Sequence, residues 1–240
     1  MVRLKLYETE LNFVNTHLAA HMGHVSRRNK DFESIADALL PELVAVPPSR
    51  RVLSGEPLTM KATSPLIWFG DLNYRIPLEF EEVVGEIDEG KLDTIIAADQ
   101  LVQEQAAQRA FVGFTESDIA FAPTYKFRMG AQHVTAEKPH GDYDRRIKKK
   151  SAAKGGGTKP PRVPAYTDRI LWCGPGIRPL LPEPMAGHSL SYTSHPKITA
   201  SDHKPVSHSL LIDAQRVIPA KRDTVREEVS QEVSVNATSA

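Results

Sequence analysis

Short apolar runs of strand length recur along this chain at uneven intervals, and segments with helical periodicity lie between some of them. Residues 66–69 form one such run. Residues 27–40 instead place Phe32, Ile35 and Leu39 at the spacing of an amphipathic helix. The pattern has neither regular βαβ spacing nor an internal repeat, and it therefore favours a layered α+β fold.

The N-terminal residues predict a β-hairpin. The apolar residues of 4–6 and 11–13 alternate with polar ones on either side of a polar turn, and the second strand is expected to end near 15–17. Residues 78–108 carry two helical patterns that break near a polar segment, and 118–125 predict a short strand. The chain thus mixes strands and helices throughout.

Composition limits the kinds of partner more than it identifies one. The 240 residues suit one substantial core, and thirty basic residues balance thirty acidic ones, so no overall field favours nucleic acid or membrane. The single Cys173 excludes an intrachain disulfide and is expected to be an inert buried thiol in a reducing compartment. No apolar run reaches the roughly 20 residues of a membrane span. Cytoplasmic localisation is the resulting prediction.

Two segments depart from this globular composition. Residues 127–161 run through a basic stretch with few apolar residues and are expected to be a disordered insert. Residues 213–240 predict a weak helix that passes into a disordered polar tail. The core is therefore expected within 1–212.

Polar, ionisable side chains end several apolar runs. A charged side chain is costly at a buried strand end unless a partner neutralises it or it takes part in binding or catalysis. Because side chains alternate along a strand, Asp71 and Asn73 are expected on one face, as are Asn15 and His17. If these strand ends meet, a carboxylate, a carboxamide and an imidazole converge. The five stretches are "VNTHLAAH", "WFGDLNYR", "PTYKF", "RVPAYTDRILW" and "SDHKPV".

These side-chain types suit the hydrolysis of a phosphate monoester, which is among the slowest uncatalysed reactions. In this hypothesis Asp71 accepts a proton from the attacking water, and the amide of Asn73 holds a phosphate oxygen. His17 and His203 donate hydrogen bonds to the developing charge.

Two further carboxylates complete the hypothesis. Asp168 orients a histidine, and Asp202 does the same or holds a metal. Each stretch taken alone also has an ordinary structural interpretation: Asp71 followed by Asn73 fits an Asx turn, and Tyr125 with Lys126 fits a solvated strand end. The conjunction of the five stretches favours a catalytic site.

In this order the five stretches resemble the signature of the inositol polyphosphate 5-phosphatases, which belong to the endonuclease/exonuclease/phosphatase superfamily together with DNase I. The resemblance covers roughly residues 2–212. It implies a DNase I-like four-layer α/β-sandwich. It also implies Mg²⁺-dependent removal of the 5-phosphate from phosphoinositide lipids or soluble inositol polyphosphates.

The resemblance also implies a role for each matched residue. Asp71 activates the water, and Asn73 and His17 bind the scissile phosphate. His203 stabilises the transition state, and Asp168 orients His203. Beyond this catalytic group, the residue implied beside the metal is Asp202, and those implied to hold the neighbouring 4-phosphate are Tyr125, Lys126 and Arg162.

Two departures from the family pattern modify these expectations. A basic residue usual two positions before Arg162 is replaced by Pro160, with Lys159 beside it. The strand, the glycine-rich segment and the glutamate that is the principal Mg²⁺ ligand precede the family's equivalent of Val2. We therefore expect an N-terminally truncated domain that holds Mg²⁺ poorly and has weak or no activity.

Two other function classes remain open. A non-catalytic phosphoinositide-binding fragment would keep the phosphate-binding residues and contact anionic membrane through the basic residues 145–162. A nuclease of the same superfamily would share the catalytic residues. It is disfavoured because aromatic and basic residues suited to stacking and binding nucleic acid do not interleave here. The sequence leaves the oligomeric state undetermined.

Overall fold

The computed structural model of this chain describes residues 1–39, 62–139, 141–149, 157–180 and 192–238. Within these ranges, no helix combines the length and the apolar character that crossing a membrane requires. Strands and helices alternate irregularly, which agrees with the predicted α+β class.

Ten strands and five α-helices make up the described part of the chain. The strands are β1 (Val2–Leu6), β2 (Thr9–His17), β3 (Leu66–Asp71), β4 (Lys148–Lys149), β5 (Thr158–Lys159), β6 (Asp168–Cys173), β7 (Ile177–Pro179), β8 (Thr193–Ser194), β9 (Val206–Ser207) and β10 (Leu210–Ile212). The helices are α1 (Val25–Leu39), α2 (Phe80–Asp88), α3 (Leu92–Ala97), α4 (Gln100–Ala106) and α5 (Pro219–Thr238), with a 3₁₀ turn at Ala131–His133.

The main sheet has four strands in the order β1, β2, β3, β6. β1 and β2 form the predicted antiparallel hairpin, and β2 ends at His17 as expected. β3 runs parallel to β2 and antiparallel to β6. The C-terminal ends of β2 and β3 therefore lie beside the N-terminal start of β6.

Helices cover one face of this sheet. Val14, Trp68 and Leu171 lie opposite one another on β2, β3 and β6, and all three are buried. Phe32 of the predicted helix α1 packs on this row, and its ring stacks on Phe111 with centroids 4.0 Å apart. Burial of these apolar side chains anchors α1 to the sheet.

β1 is the outer strand of the sheet, and all five of its residues are exposed. Val2, Leu4 and Leu6 point to one face and are each about half exposed. Arg3 and Lys5 point to the other face. In the part of the chain that the structure describes, no strand pairs with the outer edge of β1.

The predicted helices and strand between 78 and 125 need two corrections. Three helices form instead of two, because Asp99 caps α4 by accepting bonds from the N–H groups of Leu101 and Val102. The predicted strand over 118–125 is wrong: this segment contributes only isolated bridges at Tyr125. Tyr125 pairs there with Ala165 and with His203, so the segment joins the site without forming a ladder.

Disorder over the whole of 127–161 is also a wrong prediction, although residues 140 and 150–156 lie outside the described residues. Phe127 and Tyr143 are buried and stack with ring centroids 4.3 Å apart. The Tyr143 hydroxyl donates to the Pro123 carbonyl at 2.8 Å. Two aromatic side chains therefore anchor a segment whose average composition is polar.

The C-terminal residues form the predicted helix, α5, which ends at Thr238. Its described side chains are exposed. The predicted disordered end, residues 239–240, lies outside the described residues.

β6 carries two buried residues with ionisable side chains, Arg169 and Cys173. Arg169 is 1% exposed and bonds the carboxylates of Asp99 and Glu116, at 2.9 and 2.5 Å, which links the sheet to α4. Cys173 is buried, as predicted, and burial raises the pKa of its thiol to about 12. Since the thiolate is the reactive form, this cysteine is inert in the folded chain.

Candidate active site

Three of the predicted residues lie side by side at one edge of the main sheet. Strand pairing puts His17 opposite Asp71, and Asp71 opposite Asp168. Side chains directly opposite on neighbouring strands point to the same face. Nε2 of His17 lies 3.4 Å from Oδ2 of Asp71, and the two side chains are 74% and 19% exposed. The structure thus places an exposed imidazole beside the Asp71 carboxylate, with the Asp168 carboxylate one strand further along.

His203 joins this row through Asp168. Its Nδ1 lies 3.2 and 3.1 Å from the two carboxylate oxygens of Asp168. The hydroxyls of Thr124 and Thr167 donate to Oδ2 of the same carboxylate, at 2.6 and 2.9 Å. Asp168 is therefore held in place by two hydroxyls while it faces the imidazole, which is the arrangement predicted for an orienting carboxylate.

The environment shifts the pKa values of the proposed base and acid. Burial, and then the charge of Asp168, raises the pKa of Asp71, and the two nearby histidines only partly offset this. Burial opposes protonation of His203, but its hydrogen bond to Asp168 and the surrounding carboxylates outweigh burial and raise its pKa. The site therefore favours a carboxylate that accepts a proton and an imidazolium that donates one.

Replacing Asp168 by asparagine is expected to lower the pKa of His203, because burial remains while the hydrogen-bonded negative charge is lost. An NMR titration of the His203 ring protons measures this change. Protonated His203 stabilises the folded chain below its unfolded pKa of about 6.5, and this stabilisation is lost as the pH rises through the higher folded value.

The matched control is Asp142→Asn, which removes a carboxylate paired with Arg128 and Lys138. It is expected to leave the titration of His203 unchanged. An unchanged His203 pKa in Asp168→Asn as well would contradict the orienting role.

Asn73 does not share the strand face of Asp71, so that prediction is wrong. β3 ends at Asp71, and Asn73 adopts a left-handed backbone with φ of 56°. Its N–H donates to Oδ1 of Asp71 at 3.0 Å, which is the Asx-turn alternative. Its buried side chain donates from Nδ2 to the Leu18 carbonyl at 3.0 Å and accepts from Arg75. Asn73 thus shapes the loop, and its contact with phosphate stays a prediction.

The predicted 4-phosphate residues divide between two places. Tyr125 lies against His203, with ring centroids 4.6 Å apart, and the Arg75 guanidinium lies 4.5 Å above the Tyr125 ring. Lys126 forms an ion pair with Asp202. Burial raises the pKa of Asp202, but the bond and charge of Lys126 outweigh burial and lower it.

The third of these residues, Arg162, lines a separate basic cavity of about 380 Å³. Both of its terminal nitrogens lie 3.4 Å from Nδ1 of His21. The charge of Arg162 is the main reason that the pKa of His21 is lowered. Arg75 and Lys159 also line this cavity, so three basic residues border one space.

Sequence reasoning left Arg75 and His21 out of the predicted site. Both lie within the quoted stretches "WFGDLNYR" and "VNTHLAAH" or directly at their ends. Basic character beside a motif was the available signal, but basic residues are common on solvated loops.

The described residues do not by themselves form a site for a divalent cation. No group of three or more histidine, cysteine, aspartate or glutamate side chains among them is arranged to hold a metal ion. Asp202, the predicted ligand, pairs instead with Lys126. Mg²⁺ requires near-octahedral oxygen ligation, and one paired carboxylate does not provide it. No catalytic step is therefore assigned to a metal ion.

A family model and several known proteins are similar to this chain. A family model described as endonuclease/exonuclease/phosphatase family 2 matches residues 1–209. The chain is 37% identical over 207 residues to the type II inositol 1,4,5-trisphosphate 5-phosphatase of Mus musculus. It is 33% identical over 208 residues to the type I inositol polyphosphate 5-phosphatase 5 of Arabidopsis thaliana.

The fold matches a solved structure, the inositol polyphosphate 5-phosphatase domain of SPsynaptojanin in complex with inositol (1,4)-bisphosphate and calcium ion. The TM-score is 0.64 at 30% sequence identity, and the match covers 99% of this chain. The expected α+β class with a DNase I-like sandwich is confirmed by this match.

The matches cover most of this chain but only part of the other proteins. They include 86% and 85% of this chain for the mouse and Arabidopsis proteins, but 17% and 33% of those proteins. This chain also spans 58% of the solved domain.

Proposed function

Since this chain belongs to the endonuclease/exonuclease/phosphatase family and, within it, to the inositol polyphosphate 5-phosphatases, we propose that it hydrolyses the 5-phosphate of a phosphorylated inositol. The substrate is a phosphoinositide lipid or a soluble inositol polyphosphate, which carry the same phosphate monoester. The observation that carries the proposal is the alignment of His17, Asp71 and Asp168 across three strands, with His203 bonded to Asp168.

In the proposed reaction Asp71 accepts the proton of the water that attacks phosphorus. The bond from phosphorus to the inositol 5-oxygen breaks, and this oxygen leaves with a proton from solvent. The raised pKa of Asp71 supports this role, because a stronger base takes the proton more readily. Asp168 keeps Nδ1 of His203 occupied, so Nε2 of His203 is the nitrogen available to donate to the phosphoryl oxygens. His17, exposed beside Asp71, donates to the same group.

The neighbouring cations provide the proposed contacts to a second phosphate. Arg162 faces the basic cavity and offers a planar fork of donors that suits phosphate. Tyr125 and Lys126 lie beside His203 and Asp202, and Lys126 must exchange its bond to Asp202 for one to phosphate. This arrangement supports a preference for substrates that also carry the 4-phosphate.

Mg²⁺ is the divalent ion that we propose for the reaction. The solved relative was obtained with calcium ion, which supports a divalent cation in that domain. A bound Mg²⁺ would supply neutralisation of phosphate charge. Because the described residues lack a three-ligand cluster, the steps above use side chains alone.

A phosphoinositide-binding module without catalysis is the second candidate, and the basic cavity is the observation that favours it. Membrane contact through 145–162 receives less support. Arg145 pairs with Glu81, and Arg146 pairs with Asp144, so these charges are already neutralised. Cytoplasmic localisation, peripheral at membranes, is proposed on the sequence alone.

Incubation of the full chain with Mg²⁺ and inositol 1,4,5-trisphosphate is expected to release inorganic phosphate, which malachite green measures. Vesicles containing phosphatidylinositol 4,5-bisphosphate test the lipid substrate in the same way, and release that persists in EDTA would contradict the proposed role of Mg²⁺. Binding of either compound without release would support the binding module instead. Nicking of a supercoiled plasmid without phosphate release would support the nuclease.

A further inference from the structure

Gln100, the first residue of α4, holds Arg75 by two hydrogen bonds. The N–H of Gln100 donates to the Arg75 carbonyl at 2.9 Å, and the N–H of Arg75 donates to Oε1 of Gln100 at 2.9 Å. Both residues are buried. Asp99 already caps α4, so the Gln100 side chain is not needed to start the helix. Its contacts serve the neighbouring segment instead.

The same amide group holds the loop that follows β2. Nε2 of Gln100 donates to the Met22 carbonyl at 3.2 Å, and Oε1 accepts from the Arg28 guanidinium at 2.5 Å. Arg28 is fully buried and donates to the carbonyls of Ala19 and His21, at 3.0 and 2.7 Å. Gln100 and Arg28 thus fix the backbone that carries His21 to the basic cavity.

From Arg75 the contacts continue to the proposed catalytic base. Nε of Arg75 donates to the Asn73 carbonyl at 3.1 Å, and another guanidinium nitrogen bonds Oδ1 of Asn73. Asn73 in turn donates from its N–H to Asp71 and from its side chain to Leu18. Each of these hydrogen bonds is buried or partly buried, and losing a hydrogen-bond partner costs more there than at the surface.

We propose that Gln100 is a positioning residue that fixes the Asp71 carboxylate relative to the loop bearing His21. It contacts no reacting atom, and its catalytic meaning rests on the proposed function above. Gln100 lies on α4, and the residues it holds come from the β2–α1 loop, from α1 and from the turn after β3. The Gln100 side chain therefore sets the distance between the Asp71 carboxylate and the basic cavity.

The test compares three variants of the full chain. Gln100→Met keeps the volume of the side chain but removes its hydrogen bonds. Gln100→Glu keeps an oxygen that accepts from Arg28 and from the Arg75 N–H. Gln103→Met is the matched control, because Gln103 lies on the same helix with its side chain exposed. The readouts are hydrogen exchange by NMR and steady-state phosphate release.

Gln100→Met is expected to speed hydrogen exchange at the Arg75 N–H and the Asn73 side-chain amide, and to leave exchange in the β7–β10 pair unchanged. Because small misplacements of reacting groups are costly, we expect kcat to fall on the order of tenfold with little change in KM. Gln100→Glu is expected to restore exchange protection at the Arg75 N–H, which its carboxylate still accepts, and to recover kcat in part, because it cannot donate to the Met22 carbonyl. Gln103→Met is expected to match the native chain in both.

Two results would overturn the proposal. One is native exchange and kcat in Gln100→Met. The other is a Gln100→Met chain that is only less stable, with Gln100→Glu equally impaired. If the native chain releases no phosphate, the proposed function fails, and the exchange comparison alone still decides whether Gln100 positions Asn73.

Discussion

Replacing Asp71 by asparagine is expected to lower the phosphate-release rate of the chain by about a thousandfold, within the range typical for loss of a general base. Asparagine keeps the shape of the side chain and an Oδ1 that accepts from the Asn73 N–H, so the turn after β3 is retained. It cannot take a proton from water. Single-turnover phosphate release, measured with malachite green, checks this prediction.

The pH profile gives this prediction a second readout. Because the pKa of Asp71 is raised, native activity is expected to fall on the acidic side as this carboxylate becomes protonated. Because the pKa of His203 is also raised, the decline on the alkaline side is expected above the ordinary histidine range. The acidic decline is expected to disappear in the Asp71→Asn variant.

Asp93→Asn is the control for this experiment, since Asp93 is an exposed carboxylate on α3. It is expected to retain the native rate. If Asp71→Asn also kept the native rate, water activation by Asp71 would have to be abandoned.

Replacing Arg169 by methionine is expected to lower the free energy of unfolding by about 3–5 kcal/mol, the usual cost of breaking a buried ion pair. The change leaves the buried carboxylates of Asp99 and Glu116 without their common partner. Asp99 also caps α4, so the start of the helix that carries Gln100 is expected to loosen. Urea unfolding followed by circular dichroism measures the change.

Arg178→Met provides the contrast, because Arg178 and its partner Asp213 have side chains that are 54% and 62% exposed. Exposed pairs contribute roughly 0–1 kcal/mol. Equal losses of stability in the two variants would show that burial of the Arg169 network is not what makes it important.

The main sheet was predictable because its strands have local signals. The run at 66–69 and the alternation around the first turn each identify a strand without knowledge of the rest of the chain. The ordering of 127–139 and 141–149 was not predictable in this way. It depends on stacking between Phe127 and Tyr143, and the residues that separate these two in the sequence are mostly polar.

Some residues of the candidate site could likewise be predicted from the sequence, and others could not. His17, Asp71 and Asp168 could be predicted because each follows or begins an apolar strand, and the register then aligns them. The Gln100 contacts could not be predicted, since a glutamine at a helix start looks like a solvated residue. Its bond to Arg28 joins residues 72 positions apart. The pairing of Lys126 with Asp202 likewise depends on tertiary structure.

The outer strand β1 has a consequence for how copies of this chain meet in solution. No described strand pairs with the outer edge of β1, and backbone N–H and C=O groups at such an edge can extend a sheet into a neighbouring molecule. Two copies aligned antiparallel about Leu4 would set Arg3 of one against Lys5 of the other. Like charges directly across from each other repel. The alternation of basic and apolar residues on β1 therefore discourages self-assembly at this edge.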